Sequence, residues 1–194
     1  MVIGIDIDGV IQDCENWFRT FAEIYDIDEI GNGVVNPESL RVQARMGWND
    51  DQFMKFVYKY MHKCMKNAPI KPGAKMVIDR LKEMGHKLVV ITARGNCTNT
   101  GIKLAKRMLK KNNIKVDKIC FLAVDKLKHC NEEHIDYMID DTSGIVEKLS
   151  TNAIKCLYFR EYGSKDVVNE NVTNVKNWGE VLRFFMALEN KKEG

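Results

Sequence analysis

The sequence has six cysteines, Cys14, Cys64, Cys97, Cys120, Cys130 and Cys156, and no two of them fall in a CxxC or CxH spacing. That pattern supports neither a zinc finger nor a dithiol redox motif. The histidines His62, His86, His129 and His134 fit no metal-ligand spacing either. No apolar run approaches the ~20 residues that a membrane helix needs, so no membrane partner is expected. The opening residues read as a strand rather than a secretory leader, which points to the cytoplasm, where thiols stay reduced. Clustered charge is missing as well. Lys and Arg number 30 against 27 Asp and Glu, for a net charge of +3, and they are spread along the chain. A nucleic-acid polymer is therefore not an expected partner. The densest basic stretch, Lys103 to Lys111, carries its apolar residues at helical spacing and reads as a solvated helix face. There is no internal repeat, and the one biased segment is the charged tail Asn190 to Gly194.

What is present is an alternation. At 194 residues, 45% hydrophobic and 29% charged, the chain suits one ordinary domain carrying an insertion. Met1 to Asp8 is a Val- and Ile-rich run ending in acidic residues and Gly9, as a buried parallel strand would be. Similar runs occur at 86–95, 117–126, 135–144 and 153–163, each ending in polar residues. Between them lie amphipathic segments: Ala74 to Met84, stopping at Gly85; Thr98 to Lys111; Ser143 to Leu149; and Trp178 to Leu188 after Asn177. This rhythm predicts an α/β fold, a Rossmann-like doubly wound parallel sheet. Ligands of such sheets bind outside the carboxyl ends of the strands.

One segment breaks the rhythm. From Cys14 to Ala68 the patterns are helical, at 14–25, 37–46 and 50–66. The expected organisation is a core of residues 1–13 and 69–194 with an all-helical insertion at 14–68, closed by the stiff turn Pro69-Ile70-Lys71-Pro72-Gly73. The aromatics Trp17, Phe18, Trp48 and Phe53 are expected to pack the insertion, some of them facing the site.

The strand ends would gather Asp6, Asp8, Thr92, Lys126, Asp140 and Asp141 at one crevice. Crowded carboxylates repel, and a divalent cation with hard oxygen ligands relieves them. A lysine adds a point contact for a phosphoryl oxygen. Asp6-Ile7-Asp8-Gly9-Val10, Val89-Val90-Ile91-Thr92, Lys126 and Met138-Ile139-Asp140-Asp141 resemble, in this order and at strand ends, the four motifs of the haloacid dehalogenase superfamily of phosphohydrolases. The resemblance implies a Mg²⁺-dependent phosphomonoesterase with a small helical cap of the C1 type. It assigns Asp6 as nucleophile and Asp8 as acid and base. Thr92, Ala93, Arg94 and Lys126 become the substrate-contacting set, with Asp6, Asp140, Asp141 and the Asp8 main-chain carbonyl as metal ligands. Lys126, directly after Asp125, matches the pattern better than Lys128.

Within the superfamily the chain is most similar to the 5'(3')-deoxyribonucleotidase group and its bacterial relatives, through Asp13, the segment Tyr158-Phe159-Arg160-Glu161-Tyr162, and Val175 to Trp178. Two departures stand out: Cys14 replaces a base-stacking aromatic, and Ala93-Arg94 follows Thr92. The implied partner is a small phosphate ester, a (deoxy)nucleoside monophosphate first and a sugar phosphate second. A non-catalytic phosphate sensor is the alternative of another class, and a homodimer stays open. Asp6-Ile7-Asp8 has a near copy in Asp26-Ile27-Asp28, which lacks both a strand before it and partner motifs. It reads as a solvated helix end.

Overall fold

The computed structural model describes residues 1–39, 41–96, 99–161 and 163–191. Cys97, the expected helix start at Thr98, Tyr162 and the last residues of the charged tail lie outside the described residues. The six strands are β1 (Val2–Ile5), β2 (Lys87–Ile91), β3 (Lys118–Cys120), β4 (Tyr137–Asp140), β5 (Lys155–Phe159) and β6 (Val172–Val175). They form one sheet in the order β3-β2-β1-β4-β5-β6, and every pair is parallel. The helices are α1 (Cys14–Glu29), α2 (Val42–Met46), α3 (Asp50–Asn67), α4 (Ala74–Glu83), α5 (Asn99–Lys111), α6 (Lys126–Glu132), α7 (Ser143–Thr151) and α8 (Trp178–Asn190).

Strand alternation divides the core in two. Ile3, Ile5, Leu88, Val90, Ile139, Leu157 and Phe159 meet Val77, Ile78 and Leu81 of α4, Ala105 and Met108 of α5, and Val181 and Phe185 of α8. The intervening residues Val89, Ile91, Met138, Cys156 and Tyr158 meet Cys130 of α6 and Val146 and Leu149 of α7. The sheet is thus covered on both faces, which is why its strands read as continuous apolar runs rather than alternating ones. Even Gly4 is spoken for: a Cβ there would lie 2.6 Å from the Met138 sulfur.

The basic stretch in α5 behaves as expected, with Leu104, Ala105, Met108 and Leu109 buried and the lysines turned to solvent. Asn177 caps α8 by accepting from the Glu180 amide at 3.0 Å. Two elements escaped the sequence reading. β6 was concealed in the polar run Val172-Thr173-Asn174-Val175, and α6 begins at Lys126, inside a stretch read as strand. Among the described residues of the 37–46 pattern, the helical ones are Val42–Met46.

Helices α1, α2 and α3 all lie between β1 and α4. Their aromatics form a separate core in which Ala22, Tyr25, Met46, Trp48, Phe56 and Tyr60 are buried, with Trp17, Phe18, Phe21 and Phe53 packed against them. The two chain crossings into and out of this segment run side by side. The Asp13 amide donates to the Pro69 carbonyl and the Lys71 amide to the Ile11 carbonyl, both at 2.8 Å.

The second aspartate pair corrects the expectation of a solvated helix end. Asp28 is exposed, but Asp26 is buried at 1% exposure. Its carboxylate accepts from the Trp48 indole at 2.7 Å and from the Gly33 amide at 2.6 Å. It is a structural carboxylate that fastens the loop after α1 to the aromatic core, a role that helical periodicity does not reveal. Asp26→Ala, which strands the buried Trp48 indole donor, should therefore cost about 1–3 kcal/mol in urea denaturation. Asp28→Ala should stay within about 0.5 kcal/mol of the parent.

Candidate active site

The site is built at the carboxyl ends of β1, β2 and β4. Ile5 pairs with Ile139, and the Asp6 amide continues the ladder by donating to the Ile139 carbonyl at 3.0 Å. Register alone therefore sets Asp6 beside Asp140. After Asp6 the backbone folds back sharply, with the Ile11 and Gln12 amides both donating to the Ile7 carbonyl. Gly9 is required at this turn. Its φ is +76°, and a Cβ would fall 1.8 Å from Oδ2 of Asp141. A side chain would thus be both strained and in collision with a carboxylate of the site.

Lys126 opens α6 and is buried at 5% exposure. Its ammonium lies 2.6 Å from Asp140 Oδ2 and 3.1 Å from Asp6 Oδ1. Lys128, the other lysine considered, is solvent-facing and pairs with Glu132 one turn on. Asp140 also accepts from the Thr142 amide at 2.9 Å, so one carboxylate both bonds the lysine and shapes the turn into α7. Carboxylate oxygens of Asp6, Asp140 and Asp141 lie within 4.8 Å of one another.

The electrostatics follow from this crowding. Burial pushes the Asp6 carboxyl up to about 7, with Lys126 opposing and Asp140 and Asp8 adding to the rise. Burial likewise pushes Asp141 well above the ordinary carboxylate range, reinforced by Asp6 and Asp140. Lys126 moves the other way from what burial alone would dictate, because Asp6 and Asp140 hold its proton. One ammonium thus serves two carboxylates, while Asp141 pairs with no ammonium or guanidinium among the described residues. A hard divalent cation fits that deficit and that oxygen donor set.

Thr92 is fully buried at the end of β2. Ala93 follows it, exposed, and the Arg94 amide donates to the Thr92 hydroxyl at 3.3 Å. The Arg94 guanidinium is committed to Asp8, with Nε 2.9 Å from Oδ2 and Nη2 2.6 Å from Oδ1. Burial alone would raise the Asp8 carboxyl, but this fork overrides it and holds Asp8 below the ordinary carboxylate range. The Cys14 thiol donates to Asp8 Oδ1 at 3.0 Å. Its own titration is pushed far up by the neighbouring Cys64 and by burial.

Two polar residues near the site went unassigned in the sequence. Gln12 is wholly buried in the joint to α1 and bonds Arg94. Glu161, after β5, sits near Lys71 at 3.6 Å, with that lysine also 3.5 Å from Asp13. Burial, then the nearby Glu15, raise Glu161 to about 7 against the opposing charge of Lys71. Neither residue is given a role by its spacing in the sequence; Gln12 meets Arg94, and Glu161 meets Lys71, only in the folded chain.

No family model matches the sequence. A curated protein named a nucleotidase from Clostridium acetobutylicum is 25% identical, over 98% of this chain and 96% of its own length. Among solved structures, a haloacid dehalogenase-like family hydrolase from Xanthomonas campestris superposes with a TM-score of 0.64 at 11% identity, covering 98% of this chain and 96% of that one. A protein described as a predicted phosphatase from Clostridium acetobutylicum gives 0.63 at 15% identity, covering 96% and 98%.

Two measurements check the charge balance. Lys126→Ala leaves two buried carboxylates uncompensated and should cost about 3–5 kcal/mol in urea denaturation, whereas Lys128→Ala should be close to neutral. For Glu161 the folded-state value lies above the unfolded one, so the folded chain binds the extra proton and stability falls as pH rises from about 4.5 through about 7. Glu161→Gln should remove that loss, flattening the pH profile of stability by at most about 3 kcal/mol between pH 5 and pH 8.

The sheet order, the doubly covered core and the superpositions agree, and the chain has the fold of the haloacid dehalogenase-like hydrolases.

Proposed function

We propose that the chain is a Mg²⁺-dependent phosphomonoesterase that works through an aspartyl-phosphate on Asp6. The observation that carries this reading is the arrangement of Asp6, Lys126, Asp140 and Asp141 at the tips of β1 and β4, where three carboxylates lie within 4.8 Å of one another and one ammonium bonds Asp6 and Asp140. Asp6, Asp140, Asp141 and the Asp8 main-chain carbonyl would hold the cation, whose charge, when bound, offsets that of the phosphoryl oxygens. Lys126 orients Asp6 through one carboxylate oxygen. Thr92, with the main chain at Ala93, would hold the phosphoryl group.

In the first half-reaction an Asp6 oxygen attacks phosphorus, the P–O bond to the leaving group breaks, and Asp8 passes a proton to the departing oxygen. Asp8 rests as a carboxylate beside Arg94. A phosphate monoester with a second pKa of about 6 can itself bring the proton that Asp8 relays. In the second half-reaction water attacks phosphorus, its proton goes to Asp8, and Asp6 is released with inorganic phosphate.

Helices α1 to α3, residues 14–68, would act as a cap over this crevice and exclude water. The substrate proposed first is a 5'- or 3'-(deoxy)nucleoside monophosphate, supported by the motif resemblance and by the name of the curated relative. A sugar phosphate is second, and one observation favours it: Cys14, where a base-stacking ring would be expected, is buried against Asp8 and Cys64 and offers no ring.

Asp6→Asn should abolish Mg²⁺-dependent hydrolysis of an aryl phosphate, and chelation of the cation should do the same to the parent protein. Full activity in Asp6→Asn would overturn the reading. Hydrolysis of a panel of nucleotides and sugar phosphates ranks the two substrate classes by kcat/KM. A protein that binds Mg²⁺ yet releases no phosphate from any panel member is the sensor instead.

A further inference from the structure

Asp8 is the proposed proton carrier, and what aims its carboxylate is a chain of side chains reaching back to the helical segment. Arg94 is 3% exposed, and its guanidinium bonds Asp8 through Nε and Nη2, while Nη1 is buried without a hydrogen-bond partner among the described residues. Nη2 donates a second bond, at 2.6 Å, to Oε1 of Gln12. Gln12 is itself fully buried, and its amide nitrogen donates to the carbonyls of Ala68 at 2.6 Å and Met65 at 3.3 Å, at the end of α3.

The chemistry fixes the direction of every link. A guanidinium only donates and the two carbonyls only accept, so the Gln12 amide satisfies both sides in one orientation, and turning it over would break all three contacts. Arg94 has two of its three guanidinium nitrogens engaged in this way. Its side chain is closed off from solvent, and its two committed nitrogens are a planar fork matched to a carboxylate.

We infer that Arg94 and Gln12 are positioning residues for proton transfer: Arg94 sets where the Asp8 carboxylate points, and Gln12 fixes Arg94 against the carboxyl end of α3. The inference rests on the reading of Asp8 given under the proposed function. It differs from the motif-based expectation that Arg94 contacts substrate, and the two make opposite statements about leaving groups. A departing p-nitrophenolate needs almost no protonation, whereas an alkoxide needs it fully. A residue that aims the proton carrier therefore matters for alkyl esters and hardly for activated aryl esters, while a phosphate contact matters equally for both.

The test compares kcat/KM, which reports cleavage of the ester bond, for p-nitrophenyl phosphate and a simple alkyl phosphate in Arg94→Gln, Arg94→Lys and Gln12→Met. General acid catalysis contributes about 10²–10⁴ in rate, so a misaimed Asp8 should lower the alkyl value by about 10–100-fold and the aryl value by no more than about 3-fold. Arg94→Lys should recover part of the alkyl value, and competitive inhibition by inorganic phosphate should be unchanged in all three. Equal losses on both esters with weakened phosphate inhibition would make Arg94 a substrate contact and overturn the inference. Equal losses with normal phosphate inhibition would make its role merely structural and overturn it too.

If Arg94→Gln does not fold, Gln12→Met carries the comparison alone, because it leaves the Arg94–Asp8 ion pair in place. Asp6→Asn run alongside separates the two levels. Activity retained there, or a parent protein inactive on both esters, takes down the phosphatase reading. An inactive Asp6→Asn with equal ester losses in the other variants takes down only this inference.

Discussion

The ammonium of Lys126 is the constraint on which the site depends. Asp6 and Asp140 arrive from adjacent parallel strands whose register leaves no freedom to separate them. Two buried carboxylates at that spacing are tolerable only with a cation between them. Lys126 supplies it from the first turn of α6, close enough to bond both. The compensation is incomplete, because Asp141 adds a third carboxylate that has no side-chain cation of its own among the described residues. That residual negative charge, concentrated at the end of a sheet, makes the crevice receptive to a hard cation.

A second layer of the same logic governs Asp8. It follows Asp6 by two residues yet lives in an opposite environment, held by the Arg94 fork rather than crowded by carboxylates. One aspartate is pushed toward the neutral form and the other toward the charged form, although the motif that carries them is a simple triplet.

Much of this was legible because strand periodicity and motif order are local signals. β1, β2, β4 and β5 announce themselves as apolar runs ending in polar residues, and those endings are where Asp6, Thr92 and Asp140 stand. Of the two lysines considered, Lys126 is the one whose ammonium reaches Asp6 and Asp140, while Lys128 pairs with Glu132. β6 was illegible because an edge strand exposed on one side needs no apolar run. Asp26 was misread because its burial depends on Trp48, 22 residues away in sequence. Gln12 and Glu161 went unassigned for the same reason: their meaning comes from the joint between core and insertion, which no spacing encodes.

The last helix bears on the site in a way that concerns when it forms. The Trp178 indole is fully buried and donates to the Val10 carbonyl at 3.0 Å, clasping the turn that follows Asp6. As the chain emerges from the ribosome, the first strand and its acidic turn appear early, but the group that clasps the turn arrives 168 residues later. Domains fold largely as units during synthesis. The charged crevice therefore acquires its final shape only once α8 has been made, so the growing chain carries the parts of the site long before it carries the site.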